Sequence, residues 1–503
     1  MNSAPAAPDA TPAGELQTLL ASRVPLVIIE SREETRVIEL VRDAAMKAQR
    51  GRNWGVFQWT VTDGLERVDV DMGGPQRTLS QPDQLLRHVK ATMMAGIYVL
   101  LDFHPYLENP LFVRTLKDIA QGYPKCERTI VLVSAEVKLP PELEHLAARF
   151  SVRLPDRSER QQIVMRMARE WARLNGAMPR IDVKAVEKLV DNLGGLPIHD
   201  VERLTRRAIF NDGALTEADI KPLLEAKYQL LNRGGTLSFE ADTARFAEVG
   251  GMKNLRRWIL QRKVAFDGSA PGLDAPKGVL LLGVQGCGKS LAARAAAGVL
   301  GVPLVRLDFG ALYSKWHGES EKNLRESLSS AEALSPCVLW LDEIEKALSS
   351  DGSDSGTSRR VLGAFLTWLA EQRSRVFIVA TANDITALPP ELVRKGRFDE
   401  IFFVDLPSPA ARREILGIHA TKRNVALTGA QIEALSARSE GFSGAELEQA
   451  VVSAMYSANS NQRACDASLI AAELEATRPL SVVMSEKIAE LRDWAADRTV
   501  PAD

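Results

Sequence analysis

The segment that most constrains the fold is the run Gly-Val-Gln-Gly-Cys-Gly-Lys-Ser at residues 283–290. It follows an apolar stretch at 278–282 that predicts a buried strand, and it precedes an alanine-rich stretch at 291–297 that predicts a helix. Glycines between a strand and a helix let backbone N–H groups surround phosphate oxygens at the positive end of the helix. We therefore expect a nucleoside triphosphate site, in which Lys289 contacts the phosphates and Ser290 binds a magnesium ion.

Apolar strands alternate with helical stretches through the second half of the chain. The predicted strands are 278–282, 302–307, 337–341, 375–380 and 400–404. This alternation predicts an α/β fold of the P-loop NTPase type, with a parallel sheet between helices. From Ser408 onward the pattern is purely helical, so we expect a helical lid after the sheet.

The first half of the chain repeats this layout. Leu-Pro-Pro-Glu-Leu occurs at 139–143 and again at 388–392, and an apolar strand followed by aspartate occurs at 98–102 and again at 338–342. Because such pairs recur in the same order, they indicate a duplicated unit. The first copy reads Glu-Ser-Arg-Glu-Glu-Thr at 30–35, where its phosphate loop would lie. We expect a degenerate nucleotide fold kept for packing or for binding a partner.

The duplication predicts the domain boundaries. They are a disordered tail at 1–13, a degenerate α/β domain at 14–156, its helical lid at 157–233, a linker at 234–245, the second α/β domain at 246–407, and its helical lid with a C-terminal helix at 408–503.

Composition excludes several other classes of protein. Of the 503 residues, 45% are hydrophobic and 25% are charged, as in ordinary globular proteins. No apolar run approaches the ~18 residues of a membrane span, and the first residues lack a signal-peptide pattern. A formal net charge of −2 argues against a chain built mainly to bind nucleic acid. The four cysteines form no C-x-x-C pair, so we expect free thiols and a cytoplasmic protein.

Two strands of the second copy end in polar side chains that suit phosphate chemistry. Asp342 suits the water shell of magnesium, and Glu343 suits polarising the water that attacks the γ-phosphate. The alternative is an acidic start of a helix, where carboxylates are favoured electrostatically. Asn383, at the end of another strand, can hold the same water, although alone it would be an ordinary turn residue.

Arg394 and Arg397 lie in the next turn of the chain. A guanidinium neutralises charge that develops during phosphoryl transfer, whereas the alternative is a solvated basic turn. If these arginines act on a neighbouring subunit's nucleotide, the active site exists only between subunits and a closed ring is implied.

These motifs resemble the AAA ATPase clade, which includes katanin, spastin and the proteasomal ATPases. The resemblance covers about 246–480 and is carried by Phe-Ala-Glu-Val-Gly-Gly-Met at 246–252, the phosphate loop, Asp342-Glu343, Asn383 and Gly-Arg-Phe-Asp at 396–399. It implies a hexamer that uses ATP and Mg²⁺ to thread or remodel a protein substrate. The nucleotide-binding residues that it implies are Val249, Gly250, Gly286, Cys287, Gly288, Lys289, Ser290, Leu291, His419, Gly444 and Ala445. It also implies that the catalytic residues are Lys289, Glu343, Asn383, Arg394 and Arg397, and that Ser290 and Asp342 bind the metal. The alternative for His419 is a helix-surface position.

The segment Lys315-Trp316-His317 is similar to the substrate-gripping pore loop of that clade. Trp316 offers a large apolar contact at low entropic cost, and the alternative is packing in a core or a subunit interface. The Ser/Gly/Asp-rich segment 349–358 is predicted to form a second, flexible pore loop.

Over its whole length the chain resembles the AAA proteins named for a conserved chloroplast open reading frame, which also occur in bacteria; this implies a bacterial cytoplasm or a plastid stroma. Val284-Gln285 replaces the usual Pro-Pro of the phosphate loop, and Ser290 replaces threonine. Three functions stay open: an ATPase that remodels proteins, an ATP-dependent assembly switch with slow hydrolysis, and, less favoured, a DNA-acting motor.

Overall fold

A computed structural model describes residues 12–48, 54–70, 74–232, 236–240, 248–270, 272–309, 312, 320–348, 355–394 and 396–503. The chain divides into two compact units, Met1–Leu154 and Pro155–Asp503, each of which is described by itself.

The first unit contains a mixed sheet between helices. Its elements are α1 (Pro12–Ala21), β1 (Leu26–Glu30), α2 (Glu34–Ala48), β2 (Gly55–Thr60), β3 (Gly64–Arg67), α3 (Pro82–Ala91), β4 (Gly96–Leu101), α4 (Pro110–Gln121), β5 (Arg128–Ser134), α5 (Pro141–Glu144) and β6 (Ala147–Phe150), with short 3₁₀ turns at Arg77–Leu79 and His104–Glu108. The strand order is β3-β2-β4-β5-β1-β6, and only the β2–β3 pair is antiparallel among these strands.

The apolar strands of this sheet are buried because their side chains pack in two hydrophobic cores, one on each face of the sheet. Leu26 and Ile28 of β1 belong to the core on one face, and the alternate residues Val27 and Ile29 belong to the core on the other. Side chains that alternate between two covered faces require a continuous apolar run, which is the pattern of β1 and β5.

The second unit begins with helices that pack on its α/β domain. They are α6 (Arg157–Asn175), α7 (Val183–Asn192), α8 (Ile198–Asp212) and α9 (Ile220–Leu231), with the short pair β7 (Arg180–Ile181) and β8 (Ala214–Leu215) and a 3₁₀ turn at Glu217–Asp219. A Cβ on Gly195, between α7 and α8, would lie only 2.5 Å from the Cα of Ala333. The segment predicted as the first copy's lid is therefore part of the same compact unit as the second copy.

The α/β domain follows. Its elements are β9 (Leu237–Glu240), α10 (Lys253–Phe266), β10 (Gly278–Gly283), α11 (Lys289–Leu300), β11 (Leu304–Leu307), α12 (Ser320–Ala333), β12 (Cys337–Leu341), α13 (Ile344–Leu348), α14 (Ser355–Glu371), β13 (Val376–Ala382) and β14 (Glu400–Val404). The lid and tail are α15 (Pro409–Lys422), α16 (Gly429–Arg438), α17 (Gly444–Ser460), α18 (Ala467–Ala476), α19 (Leu480–Val483), α20 (Ser485–Ala495) and β15 (Val500–Pro501).

The six strands of the first sheet have counterparts in the same order in the second, which has a seventh strand, β15, at one edge. In the second sheet the order reads β9-β11-β12-β13-β10-β14-β15, so β10, which leads into the phosphate loop, occupies the place that β1 occupies in the first. Both sheets carry an antiparallel strand at the same edge, although β3 follows its partner β2 in the chain whereas β9 precedes its partner β11. The predicted fold class, a parallel-rich α/β unit written twice with a helical lid, is confirmed.

Two short strands were not predicted. Residues 237–240, inside the predicted linker, form β9 because Leu237 is buried and the strand pairs with β11. The chain after Ser408 is not purely helical, since β15 pairs with β14 at the opposite edge of the sheet. Among the described residues, no helix is long and apolar enough to cross a membrane.

Candidate nucleotide-binding site

The phosphate loop joins β10 to α11 in the predicted arrangement. Gly286 and Gly288 have φ of +76° and +88°, values at which a side chain would be strained. Gly288 is the N-cap of α11 and has no side chain to satisfy the first N–H groups of the helix. These groups are therefore available to an anion at the helix N-terminus.

Lys289 is satisfied by the loop itself. Its side chain is buried, and Nζ donates hydrogen bonds to the carbonyl oxygens of Gly283 and Val284, both at 2.8 Å. Burial lowers the pKa of Lys289 to about 8, although the charges of neighbouring carboxylates oppose that shift. The ammonium group is held inside the loop, at the place where phosphates would bind.

The carboxyl ends of β12 and β13 form a hydrogen-bonded cluster. The Thr381 hydroxyl donates to Asp342 Oδ1 at 2.7 Å and accepts from the Glu343 N–H at 3.1 Å. Asp342 Oδ2 accepts from Arg306 on β11 at 3.2 Å. The hydroxyl group of Thr381 thus holds both the Asp342 side chain and the Glu343 backbone.

Both carboxylate oxygens of Glu343 are engaged. Oε1 accepts from the Asn383 side-chain amide at 3.1 Å, and Oε2 accepts from Lys346 Nζ at 2.6 Å. Glu343 is thus held between Asn383 and Lys346.

Glu345 holds the backbone of Asn383. It is 4% exposed, and its Oε1 accepts from the Asn383 backbone N–H at 2.9 Å, while Oε2 has no hydrogen-bond partner among the described residues. Burial raises the pKa of Glu345, and the nearby Glu343 carboxylate adds to that shift.

One cavity of about 320 Å³ extends from the strand ends to the lid, and it is lined by Lys289, Asp342, Glu343, Thr381 and Asn383. On the lid side, Ile415, Ile418 and His419 project from one face of α15, as their spacing along the helix requires. The N-terminus of α17 closes the cavity, and the Ala445 N–H donates to the Gly286 carbonyl oxygen at 2.9 Å. Lid and phosphate loop are therefore in direct contact.

His419 is half-buried and belongs to a charged cluster. Its Nδ1 lies 3.1 Å from Arg423 Nη1 and 3.5 Å from Glu448 Oε1, and Arg423 also donates to Glu448 at 2.6 Å. Burial lowers the pKa of His419, whereas the Glu448 carboxylate opposes that change. The cluster fixes the position of the ring at the cavity wall.

The structure places most of the predicted residues together. Those that line the cavity are Val249, Gly250, Gly286, Cys287, Gly288, Lys289, Ser290, Leu291, Asp342, Glu343, Asn383, His419, Gly444 and Ala445. Arg394 and Arg397 do not line it, and Arg397 Nη1 donates to the Leu366 carbonyl oxygen at 2.7 Å. The predicted pore-loop residues Lys315, Trp316 and His317 lie outside the described residues.

Sequence reasoning missed several contributors to the site. The further residues that line the cavity are Glu248, Gln285, Thr381, Ile415, Ile418 and Glu448. Thr381 lies two residues before Asn383 at the end of a buried strand, and that spacing is a usable signal. Lys346 follows Glu343 by three residues, a spacing that also suits an ion pair. Arg306 had no such signal, because its partner Asp342 lies far away in the chain.

The oxygen ligands present fit a magnesium ion. Ser290 and Asp342 face the same cavity, and hard divalent cations prefer hydroxyl, carboxylate and phosphate oxygens. Among the described residues, no group of three or more His, Cys, Asp or Glu side chains could hold a metal. This set suits an ion that takes most of its ligands from nucleotide phosphates and water.

The fold and the cavity together define a P-loop nucleotide-binding protein of the AAA class. Residues 279–406 match the ATPase family associated with various cellular activities (AAA). Residues 13–152 match the N-terminal domain of SpoVK-like AAA ATPases, and residues 158–234 match their second domain.

Similarity to known proteins extends over nearly the whole chain. It is 35% identical over 487 residues to the AAA domain-containing protein ycf46 of Trieres chinensis, covering 96% of each chain. It is 35% identical over 489 residues to ycf46 of Guillardia theta, covering 96% of this chain and 94% of the relative. The proteasome-activating nucleotidase of Aeropyrum pernix is 38% identical over 226 residues, which is 42% of this chain and 54% of that protein. The chain belongs to the ycf46 family of AAA proteins.

Proposed function

We propose that this protein hydrolyses ATP with Mg²⁺ and uses the energy to remodel or thread a protein substrate. The observation that carries the proposal is the convergence of a phosphate loop, an acidic strand end and a polar amide on one cavity closed by a helical lid. The family resemblance supplies the link from ATP hydrolysis to protein remodelling, since nothing in the cavity itself specifies the substrate.

The roles follow from position. Lys289 and the α11 N-terminus bind the phosphates; Ser290 and Asp342 would hold the magnesium ion, which neutralises phosphate charge when it is bound. Glu343 orients and deprotonates the attacking water, and Asn383 holds the Glu343 carboxylate at the end of the cavity where the γ-phosphate would lie. Val249, Gly250, His419, Gly444 and Ala445 surround the base and ribose.

The arginines argue for shared sites. Arg394 and Arg397 do not reach the cavity of their own chain, yet phosphoryl transfer is strongly accelerated by an added guanidinium. We propose that they complete the site of an adjacent subunit in a closed homo-oligomer, with six subunits by family resemblance. Lys315, Trp316 and His317 would then contact the substrate at the ring's centre.

One observation favours the alternative of a slow ATP-dependent switch. Glu343 is paired with Lys346, so turnover would be low until this ion pair is broken. Phosphate release by the native protein and by Arg397→Ala separates the two functions.

We expect ATP turnover per subunit to rise with protein concentration and to fall at least about tenfold in Arg397→Ala, because the neighbour's guanidinium is lost. The measurement is phosphate release against concentration, with Arg173→Ala as control, since that arginine is exposed on α6. Turnover that is independent of concentration and unchanged in Arg397→Ala contradicts shared sites. Nucleotide binding without turnover favours the switch.

The threading part has its own test. Trp316→Ala should keep ATP turnover and lose remodelling of a substrate protein. A Trp316→Ala protein that still remodels the substrate contradicts threading.

We also propose a cytoplasmic or stromal location, which accords with the buried, unpaired thiols of Cys126 and Cys337.

A further inference from the structure

The segment 500–503 is built into the α/β domain at the edge nearest the lid. Val500 and Pro501 pair with Phe402 and Phe403 of β14, and the Ala502 N–H continues the pairing by donating to the Phe403 carbonyl oxygen at 2.9 Å. The Ala502 side chain is 2% exposed and packs in the core beneath the phosphate loop. The segment is therefore docked by both backbone and side chain.

This segment also completes the N-terminus of α10. The N-cap of α10 is Met252, which makes no side-chain capping hydrogen bond. The Ala502 carbonyl oxygen instead accepts from the N–H groups of Asn254 and Leu255, both at 3.1 Å. These are the second and third amides of the helix, which a capping side chain normally satisfies. The Asn254 side chain adds donations to the carbonyl oxygens of Asp503 at 2.9 Å and Pro501 at 3.3 Å.

The helix that is capped in this way carries the loop that lines the base end of the cavity. Glu248, Val249 and Gly250 face the cavity, and the two residues between them and α10 have left-handed backbone, with φ of +75° at Gly251 and +55° at Met252. A methionine in this region persists only where its surroundings hold it. The Gly251 N–H donates to Glu414 of the lid, so the lid holds the loop on one side and the 500–503 segment holds it on the other.

A side-chain contact joins the same segment to the start of the lid. Ser408 Oγ donates to Asp503 Oδ2 at 2.8 Å, and Ser408 is the N-cap of α15. A Cβ on Gly250 would lie 2.6 Å from Ile415 of α15, which shows how closely the base loop passes the lid. The segment therefore contacts the sheet, the base loop's helix and the lid's first residue.

We infer that residues 500–503 are positioning residues for the nucleobase: they hold the loop 248–252 against the lid in the shape that receives the base. The inference rests on the proposed function for the orientation of the nucleotide, with its phosphates at Lys289 and its base at Val249. The described hydrogen bonds of residues 500–503 go to β14, α10 and Ser408 and not to the phosphate loop, so we expect the base end of the cavity to respond more strongly than the phosphate end.

The test compares ATP with tripolyphosphate, which carries the phosphates and lacks the base. In the full chain without residues 500–503, we expect the Kd of ATP to rise at least about fivefold, as measured by titration calorimetry, and the Kd of tripolyphosphate to change less than about twofold. In steady-state hydrolysis the KM for ATP should rise with kcat nearly unchanged, because binding common to ground and transition states is lost.

A milder variant keeps the test valid if the shortened chain folds poorly. Asn254→Ala removes the two side-chain hydrogen bonds and should raise the Kd of ATP about threefold. Gln261→Ala, an exposed amide on the same helix, is the matched control and should leave both ligands' affinities unchanged. Unfolding without ligand, followed by circular dichroism, shows whether each variant is folded.

The remaining outcomes overturn the inference. Equal weakening of ATP and tripolyphosphate would mean that the segment supports the fold or the phosphate loop rather than the base. Unchanged ATP binding in both variants would mean that the loop holds its shape unaided. If the native protein binds neither ligand, or binds ATP equally well as Lys289→Ala, the proposed nucleotide site itself fails and the inference fails with it.

Discussion

Lys289 is a residue whose chemistry the fold changes strongly. Its ammonium group lies among the backbone carbonyl oxygens of the loop it belongs to, and burial lowers its pKa to about 8. A polyphosphate placed beside it would favour the charged form and raise that pKa. We therefore expect nucleotide binding to be linked to uptake of a proton by this side chain.

We expect the affinity for ATP to fall above pH 8, approaching about tenfold per pH unit, because the free protein then carries a neutral Lys289 that must be protonated on binding. Below about pH 7 the free Lys289 is already charged, so this dependence should disappear. Titration calorimetry in buffers of different ionisation enthalpy measures the proton uptake near pH 8. In Lys289→Arg, whose guanidinium stays charged, uptake from this position should vanish. Uptake that persists in the variant would assign it to another group.

Lys346 is a second residue with a specific expected effect. It is exposed, and its hydrogen bond to Glu343 raises its pKa. Removing it frees Glu343 Oε2 to accept a proton from water. We expect Lys346→Ala to raise basal ATP turnover severalfold with little change in KM, with Lys322→Ala, an exposed lysine on α12, as control. A fall in kcat would instead place Lys346 among the groups that assist the reaction.

At this scale the predictable residues are those that belong to a short motif of consecutive residues, such as the phosphate loop or the Asp342-Glu343 pair. Cys287, Gly288 and Ser290 were predicted together because one loop places them, and they line the cavity. The buried Glu345 and the ion pair of Arg306 with Asp342 were not predicted, because each depends on strands brought together from distant parts of the chain.

Among the elements, α9 shows a buried charge in a structural role. Lys227 of α9 is fully buried and donates to the carbonyl oxygens of Asn192, the last residue of α7, at 2.7 Å and of Gly194 at 2.6 Å. Burial lowers the pKa of Lys227 to about 7. A neutral amine still has two N–H groups, enough for both carbonyl oxygens. The residue therefore joins α9 to α7 in either protonation state.

We expect Lys227→Met to lower the free energy of unfolding of its unit by about 2 kcal/mol at pH 8, since two buried carbonyl oxygens lose their donor. Between pH 7 and about pH 10 the unfolded chain binds a proton at Lys227 that the folded chain does not, so the native protein gains stability as pH rises. The difference between native protein and variant should therefore be larger at pH 9 than at pH 7. Urea unfolding measures it, with the exposed Lys184→Met as control. A difference that shrinks with pH contradicts the lowered pKa.

The long strands were predictable because parallel strands covered on both faces need continuous apolar runs, as in β10 and β13. The strands β9 and β15 are too short for any periodicity to emerge, and their pairing partners lie far away in the chain. The docking of α6 to α9 beside the second sheet was equally hidden, since a helix's apolar face does not identify its partner.

In the whole chain, the first unit has a sheet with the same core strand order, but no glycine lies between β1 and α2, where the phosphate loop would be. Glu30 ends β1, where β10 leads into the phosphate loop, and its Oε1 accepts from the Val137 N–H at 3.0 Å and from Arg149 at 2.8 Å. We therefore expect one ATP bound per chain and complete loss of binding in Lys289→Ala. Calorimetric stoichiometry measures both. A value near two, or residual tight binding in the variant, would give the first unit a nucleotide site of its own.

The strand ends of the first unit nevertheless preserve one feature of the second. Asp102 follows β4 and accepts from the Ser134 hydroxyl of β5 at 2.9 Å, as Asp342 accepts from Thr381 at 2.7 Å. Because this hydrogen bond is present in a unit without a phosphate-loop sequence, the sheet alone is enough to form it. For protein engineers, this makes the first unit a starting frame: a glycine-rich loop grafted at 30–35 would follow β1 as the phosphate loop follows β10, in a sheet where an aspartate already follows β4.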